Sequence, residues 1–176
     1  MKRYIPVVVG IVALCAVLYI GDSQMKKHDS LAEDEQKSEV SFKSFQGSVT
    51  RQWEGTTTLE YGFDLPETST TTVERDGALV KVAEGTMPVM AMYVSFEGAR
   101  GFSPADYVSN IIVPQVSAVT DMGTTTIGDY DWTVVASEWS EWHIAPTSDG
   151  KWLLVVENKK ADSDKAKGIL ETISAN

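Results

Sequence analysis

The chain is poor in the residues that build reactive centres. It has one cysteine, Cys15, and two histidines, His28 and His143. No disulfide can form within the chain, and no metal site of three or four Cys or His ligands can be assembled. Gly-rich phosphate-binding signatures and GxSxG are absent. A nucleophilic triad would have to run through His143 or a Lys, which argues against hydrolase chemistry. Basic residues are also in deficit: Lys plus Arg number 15 against 25 Asp plus Glu, a net charge of −10. That balance repels a phosphate backbone and argues against nucleic acid as a partner. What is present, 43% hydrophobic and 23% charged residues over 176 positions, is ordinary globular composition for one domain.

Charge and hydropathy divide the chain into three parts. Residues 1–21 carry only Lys2 and Arg3, residues 22–39 have a net charge of −3, and residues 40–176 have a net charge of −9. The run Ile5 to Ile20 (IPVVVGIVALCAVLYI) is uncharged. As a transmembrane helix it reaches about 24 Å against a hydrocarbon core of roughly 30 Å. Tyr4, Tyr19 and snorkelling Lys2, Arg3, Lys26 and Lys27 would make up the difference. The basic flank belongs in the cytoplasm, which sends everything after Gly21 to the outer side. Three fates compete: a retained signal anchor, a cleaved signal peptide, and a lipoprotein modified at Cys15. Tyr19-Ile20-Gly21 offers only Gly21 to the small-residue cleavage pattern. Leu14 precedes Cys15 and apolar chain follows it, which disfavours lipidation. The expectation is therefore a single-pass anchor in the cell membrane. Residues 22–39 (DSQMKKHDSLAEDEQKSE) are too polar to fold alone and read as a tether, with His28 inert within it.

Residues 40–176 read as one extracytoplasmic α+β domain. Leu59, Tyr61, Phe63 and Leu65 alternate along LEYGFDLP, the period of a strand with one buried face. Thr70 to Arg75 and Ala78 to Ala83 flank Asp76-Gly77, a hairpin signal. Pro88 to Phe96 is apolar on both faces and reads as a central strand. Ser103-Pro104-Ala105-Asp106 caps a helix whose buried face runs from Tyr107 towards Val119, with Pro114 ending or kinking it. Thr124 to Ile127, Tyr130 to Glu138, Glu141 to Ala145 and Lys151 to Glu157 are joined too closely for parallel crossovers and predict an antiparallel meander. Asp162-Ser163-Asp164 caps a closing helix with a stripe of Ala166, Ile169, Leu170 and Ile173. Two helices should thus cover an antiparallel sheet.

In element order and in several phrases the chain resembles the PsbP-like family, whose namesake is an extrinsic lumenal subunit of photosystem II. The phrases are LEYGFDLP, MAMYVSFEGARGFSPADYVSNIIVPQV, TTTIGDYDWTVVASEW and GKWLLVVENKKADSDKAKGILETIS, spanning Leu59 to Ser174. The resemblance implies an α-β-α sandwich around an antiparallel sheet, in a membrane-anchored bacterial relative with an accessory, non-catalytic role at a membrane complex. It brings no motif of active residues, and a photosynthetic role does not follow, since similar folds serve many ends.

Candidate chemistry concentrates in Trp139-Ser140-Glu141-Trp142-His143. In strand geometry Trp139, Glu141 and His143 share one face, and Glu138, Ser140, Trp142 and Ile144 share the other. Glu141 and His143 can hold a metal if Asp131 or Asp149 adds a ligand. The plainer expectation is a solvated pair in which Glu141 favours the charged imidazolium of His143. Asp129 and Asp131 offer calcium two acids where six to eight oxygens are needed. No cofactor is expected. Trp132 and Trp152 read as core, whereas Trp139 and Trp142 are candidates for a partner-binding surface. The sequence is therefore read as a membrane-anchored extracytoplasmic binding or assembly module with a protein partner. One alternative is a carrier of a small apolar ligand between the sheet and the helix from Pro104 to Val119, lined by Met87, Met90 and Met92. The other is a metal-dependent enzyme around Glu141 and His143.

Overall fold

The alternation of LEYGFDLP is realised in β2 (Thr56–Pro66), where Leu59, Tyr61, Phe63 and Leu65 are all at most 3% exposed. A computed structural model describes residues 41–176. The expected anchor, the tether, Cys15 and His28 lie outside the described residues. Among the described residues no helix is long and apolar enough to cross a membrane.

β2 pairs along its whole length with β1 (Phe42–Gln52), from Phe42↔Pro66 to Gln52↔Thr56. Sequence pattern gives β1 no strand signal, because Phe42, Phe45 and Val49 fall three and four residues apart and only Val49 is buried. The short β10 (Ser174–Ala175) pairs with the other edge of β2 and completes a three-stranded sheet.

The main sheet has seven strands. They are β3 (Ser69–Glu74), β4 (Leu79–Glu84), β5 (Met87–Ser95), β6 (Thr120–Ile127), β7 (Tyr130–Ala136), β8 (Ser140–Pro146) and β9 (Leu153–Lys159). Their order is β3-β4-β5-β9-β8-β7-β6, and every pairing is antiparallel. Two meanders, β3-β4-β5 and β6-β7-β8-β9, thus meet where β5 pairs with β9. The hairpin expected at Asp76-Gly77 is present, with φ of 53° at Arg75 and Asp76 and 85° at Gly77.

On one face of this sheet Val80, Val82, Met90, Met92, Trp132, Leu154 and Val156 pack against the apolar side of β2. The same core takes Ile169, Leu170 and Ile173 from the C-terminal helix α2 (Ser163–Leu170) and the turn after it. Its expected stripe is buried as a set, Ala166 included. Asp162 stands at the N-cap, but its side chain makes no capping hydrogen bond, because a turn of 3-10 helix over Lys160–Asp162 runs directly into α2. This face is therefore covered by a second sheet together with a helix, where a helix alone had been expected.

The opposite face carries Val135, Trp142, Ile144, Leu153 and Val155, packed against Ile112 and half-buried Tyr93, Phe102, Tyr107 and Val116. Its cover begins at α1 (Pro104–Tyr107). Ser103 Oγ accepts the Asp106 N–H at 3.2 Å, and the Asp106 carboxylate accepts the Ser103 N–H at 2.9 Å, a reciprocal capping box. The helix does not reach Val119. It widens into a π turn over Val108–Ile112, closed by the Val113 N–H on the Val108 carbonyl at 2.9 Å, and stops before Pro114, which has no N–H to contribute.

The β3–β4 hairpin tip is fastened to the small sheet. Tyr61 Oη donates to the Gly77 carbonyl at 2.5 Å, and a Cβ on Gly77 would run into the Ser48 carbonyl oxygen. Gly77→Ala adds that collision to a positive φ and should lower stability by more than about 2 kcal/mol. Tyr61→Phe removes one buried hydrogen bond and should cost roughly 1 to 2 kcal/mol. Urea midpoints read by tryptophan fluorescence check both, and equal midpoints for Gly77→Ala and wild type would refute the close packing.

Candidate functional site

The β7–β8 connection is a tight turn organised by Ser137. Its N–H donates to the Ser140 carbonyl at 2.8 Å, and its Oγ accepts the N–H groups of Trp139 and Ser140 at 3.3 and 3.1 Å. The Lys160 N–H donates to the Trp139 carbonyl at 3.0 Å. Trp139 therefore belongs to a turn pinned from two sides and not to the strand expected for it, and its side chain is 74% exposed. Trp142, by contrast, is buried against Ile112, Val135 and Val155, with 7% of its surface exposed. β5 and β8 both run antiparallel to β9, so they start at the same end of the sheet. At that end Met87 is also exposed, and Pro88, Val89, Met90 and Ala91 line a shallow hollow of about 250 Å³ together with Ser140, Lys81, Glu157, Asn158 and Lys159.

From Ser140 onward the expected alternation holds. Glu141 and His143 share the face of β8 that looks into the larger core, with His143 opposite Val134 on β7 and Val156 on β9. His143 Nε2 lies 3.2 Å from Glu141 Oε1, and the edge of its ring environment is set by Trp132, whose ring centre is 6.2 Å away. Ser163 Oγ donates to the same Glu141 oxygen at 3.4 Å. His143 is only 5% exposed. Burial pushes its pKa below the ordinary value of 6.5, outweighing the pull of the Glu141 carboxylate and the Asn158 amide towards the charged form. The solvated, charged pair expected from the sequence is thus a largely buried imidazole whose charged form is disfavoured, 3.2 Å from a half-buried carboxylate.

A third metal ligand is not brought to this pair. Asp131 shares the opposite face of β7 with Val135 and accepts a hydrogen bond from Thr126 Oγ1 at 2.6 Å. Asp149 is occupied in its own loop, accepting Thr147 Oγ1 at 2.7 Å and the Lys151 N–H at 3.0 Å. Asp129 is exposed beside Gly128 in the two-residue β6–β7 turn. No cluster of three His, Cys, Asp or Glu suited to a metal occurs among the described residues.

The methionines do not line a cavity under α1. Met90 and Met92 point into the larger core, on the other side of the sheet, and Met87 is exposed. The space beneath α1 is a groove of about 380 Å³ where Tyr93, Tyr107, Trp142 and Val155 meet Arg75 and Glu157. It adjoins a cleft of about 330 Å³ lined by Arg51, Trp53, Arg75, Tyr93, Arg100 and Tyr107 among others. No sequence pattern marks this cleft, because its arginines lie 24 and 25 positions apart.

No family model matches the sequence, and no curated protein matches it. Among solved structures, a crystal structure from Bacteroides thetaiotaomicron VPI-5482 aligns at 11% identity with a TM-score of 0.42. The alignment covers 66% of this chain and 45% of that one, a likeness at which neither a fold family nor a function transfers.

The neutral state of His143 gives stability a defined pH dependence. An unfolded chain takes up a proton near pH 6.5, whereas the folded chain resists it until lower pH, so unfolding binds a proton in that window. The contribution is complete above pH 6.5 and is lost as pH falls towards the depressed folded value. Urea midpoints should drop for the wild type between about pH 7.5 and about pH 5, and drop less for His143→Gln. An identical slope for the two proteins would contradict this account.

Proposed function

We propose that the chain is a membrane-anchored, non-catalytic binding module working on the extracytoplasmic side, and that it meets a protein partner at the Trp139 end of the sheet. The observation that carries this reading is Trp139 itself. A tryptophan has 150 to 250 Å² to bury, yet this one is left 74% exposed on a turn whose backbone is fixed on both sides. Such a side chain loses little freedom on binding, the property that makes rigid aromatics effective interface anchors. Met87, exposed at the same end of the sheet, and the hollow that Ser140 helps line add further apolar surface there.

The uncharged run from Ile5 to Ile20 with its basic flank supports the anchor and the outward placement. The finer fold reading, a PsbP-like α-β-α sandwich, is supported by element order and by α1 and α2 lying on opposite faces of the antiparallel sheet. An accessory role at a membrane complex accords with both. The carrier reading has less support, since the groove under α1 places Arg75, Gln115 and Glu157 beside its apolar residues. The metal-enzyme reading has a buried, neutral His143 and two ligands at most.

The full-length protein in membranes, carrying a photo-crosslinking residue in place of exposed Glu138 beside an intact Trp139, should capture one defined partner. Trp139→Ala should weaken that complex by about tenfold or more while changing the unfolding free energy from urea titration by less than about 0.5 kcal/mol. A partner that binds Trp139→Ala as tightly as wild type would place the interface elsewhere.

A further inference from the structure

All three arginines of the described residues, Arg51, Arg75 and Arg100, line the same cleft of about 330 Å³. The cleft lies at the end of β5 opposite Met87 and Trp139, in a part of the chain whose net charge is −9. Gathering like charges is unfavourable unless something of opposite sign joins them. Among the described residues only Arg100 has such a partner, Glu97 at 2.9 Å, an acid that also lines the cleft and leaves Arg51 and Arg75 without one. The Arg51 guanidinium donates to the neighbouring Thr50 carbonyl at 3.2 Å. That of Arg75 makes no ion pair or hydrogen bond among the described residues.

The fold holds these side chains on fixed backbone. Arg75 stands in the hairpin tip that Gly77 and Tyr61 clamp to the small sheet. Arg100 ends a 3-10 turn over Phe96–Arg100, in which the Ala99 N–H donates to the Lys151 carbonyl at 2.8 Å. Arg51 and half-exposed Trp53 come from the end of β1, and the Arg100 guanidinium sits 5.3 Å from the Trp53 ring centre. Tyr93 and Tyr107 form the inner wall, and burial raises both phenol pKa values, keeping the hydroxyls as donors.

We propose that this cleft binds a small organic polyanion, a molecule presenting two or more carboxylate or phosphate groups. Guanidinium forks match the paired oxygens of either group, the volume is that of a small-molecule site, and the Trp53 and Arg100 pair supplies a flat wall for the ligand's body. The surplus of acids elsewhere turns away an extended polyanion such as nucleic acid and leaves this spot as the attractive one.

The test is titration of the full-length protein in neutral detergent micelles with citrate and, separately, pyrophosphate, at constant ionic strength, by calorimetry and tryptophan fluorescence. Saturable binding of at least one probe is expected, with a fluorescence response that Trp53→Phe removes. The stronger probe identifies the carboxylate or the phosphate as the preferred group. Arg75→Asn, which keeps a residue tolerant of the positive φ, and Arg100→Gln should each weaken binding about tenfold or more. Lys160→Gln, at the other end of the sheet, should change it less than about twofold. Absence of saturable binding with both probes overturns the proposal. So does full displacement by chloride at matched ionic strength, or wild-type affinity in both arginine variants with unchanged urea midpoints.

Discussion

The pairing of β5 with β9, from Met90↔Asn158 to Ser95↔Leu153, joins two meanders that are each local in sequence, and the shape of the domain follows from it. β9 becomes the middle of seven strands, with Leu153, Leu154, Val155 and Val156 all at most 2% exposed. Leu154 and Val156 belong to one core and Leu153 and Val155 to the other, so neither face can be left open. The β1-β2-β10 sheet with α2 closes one face, and the segment starting at α1 closes the second. Because this pairing is distant in sequence, its chain-closure entropy is met before either core is complete, which places the fold among the slower topologies.

The same pairing sorts the loops into two ends of different chemistry. Strands β5 and β8 run in the same direction, so the turn bearing Trp139 lies with Met87 at their start. The hairpin tip with Arg75 and the 3-10 turn with Arg100 gather at the far end of β5. Neither end is loosely held. Ser137 and Lys160 fix the Trp139 turn, and Gly77, Tyr61 and the Ala99 to Lys151 hydrogen bond fix the arginine end. Positions on rigid strand ends lose little freedom when they bind, which is why surfaces placed there gain most from a few strong contacts.

Much of the architecture was legible in local pattern. The alternation of Leu59 to Leu65, the turn at Asp76-Gly77, the stripe of α2 and the burial of Trp132 and Trp152 each follow from a period of two, a period of 3.6, or a residue that accepts positive φ. β1 was not legible, since its apolar residues do not alternate and its partner strand supplies the order. Trp139 was misplaced because face alternation was carried through a turn that Ser137 creates with its side chain. His143 was read as solvated because sequence shows its neighbour Glu141 but not the cover that Trp132, Val134 and Val156 provide from other strands. The arginine cleft is purely tertiary, as its members come from three separate turns or strand ends.

His143 and Glu141, a pair that looks catalytic on paper, are shaped by the core around them. With Nε2 at 3.2 Å from the Glu141 carboxylate, Nδ1 is buried without a partner, and the Asn158 Oδ1 is buried without one as well. Each such atom costs about 1 to 3 kcal/mol relative to a satisfied one. The Asn158 side chain favours the charged form of the ring, as does the Glu141 carboxylate. Desolvation opposes the proton and prevails, because Trp132 and the surrounding aliphatic side chains give a cation little to replace water. A general base needs a nitrogen within reach of substrate, whereas the His143 ring is 5% exposed and enclosed by the core. Backbone pairing holds β8 to β9, and Ser163 Oγ ties Glu141 on β8 to the start of α2.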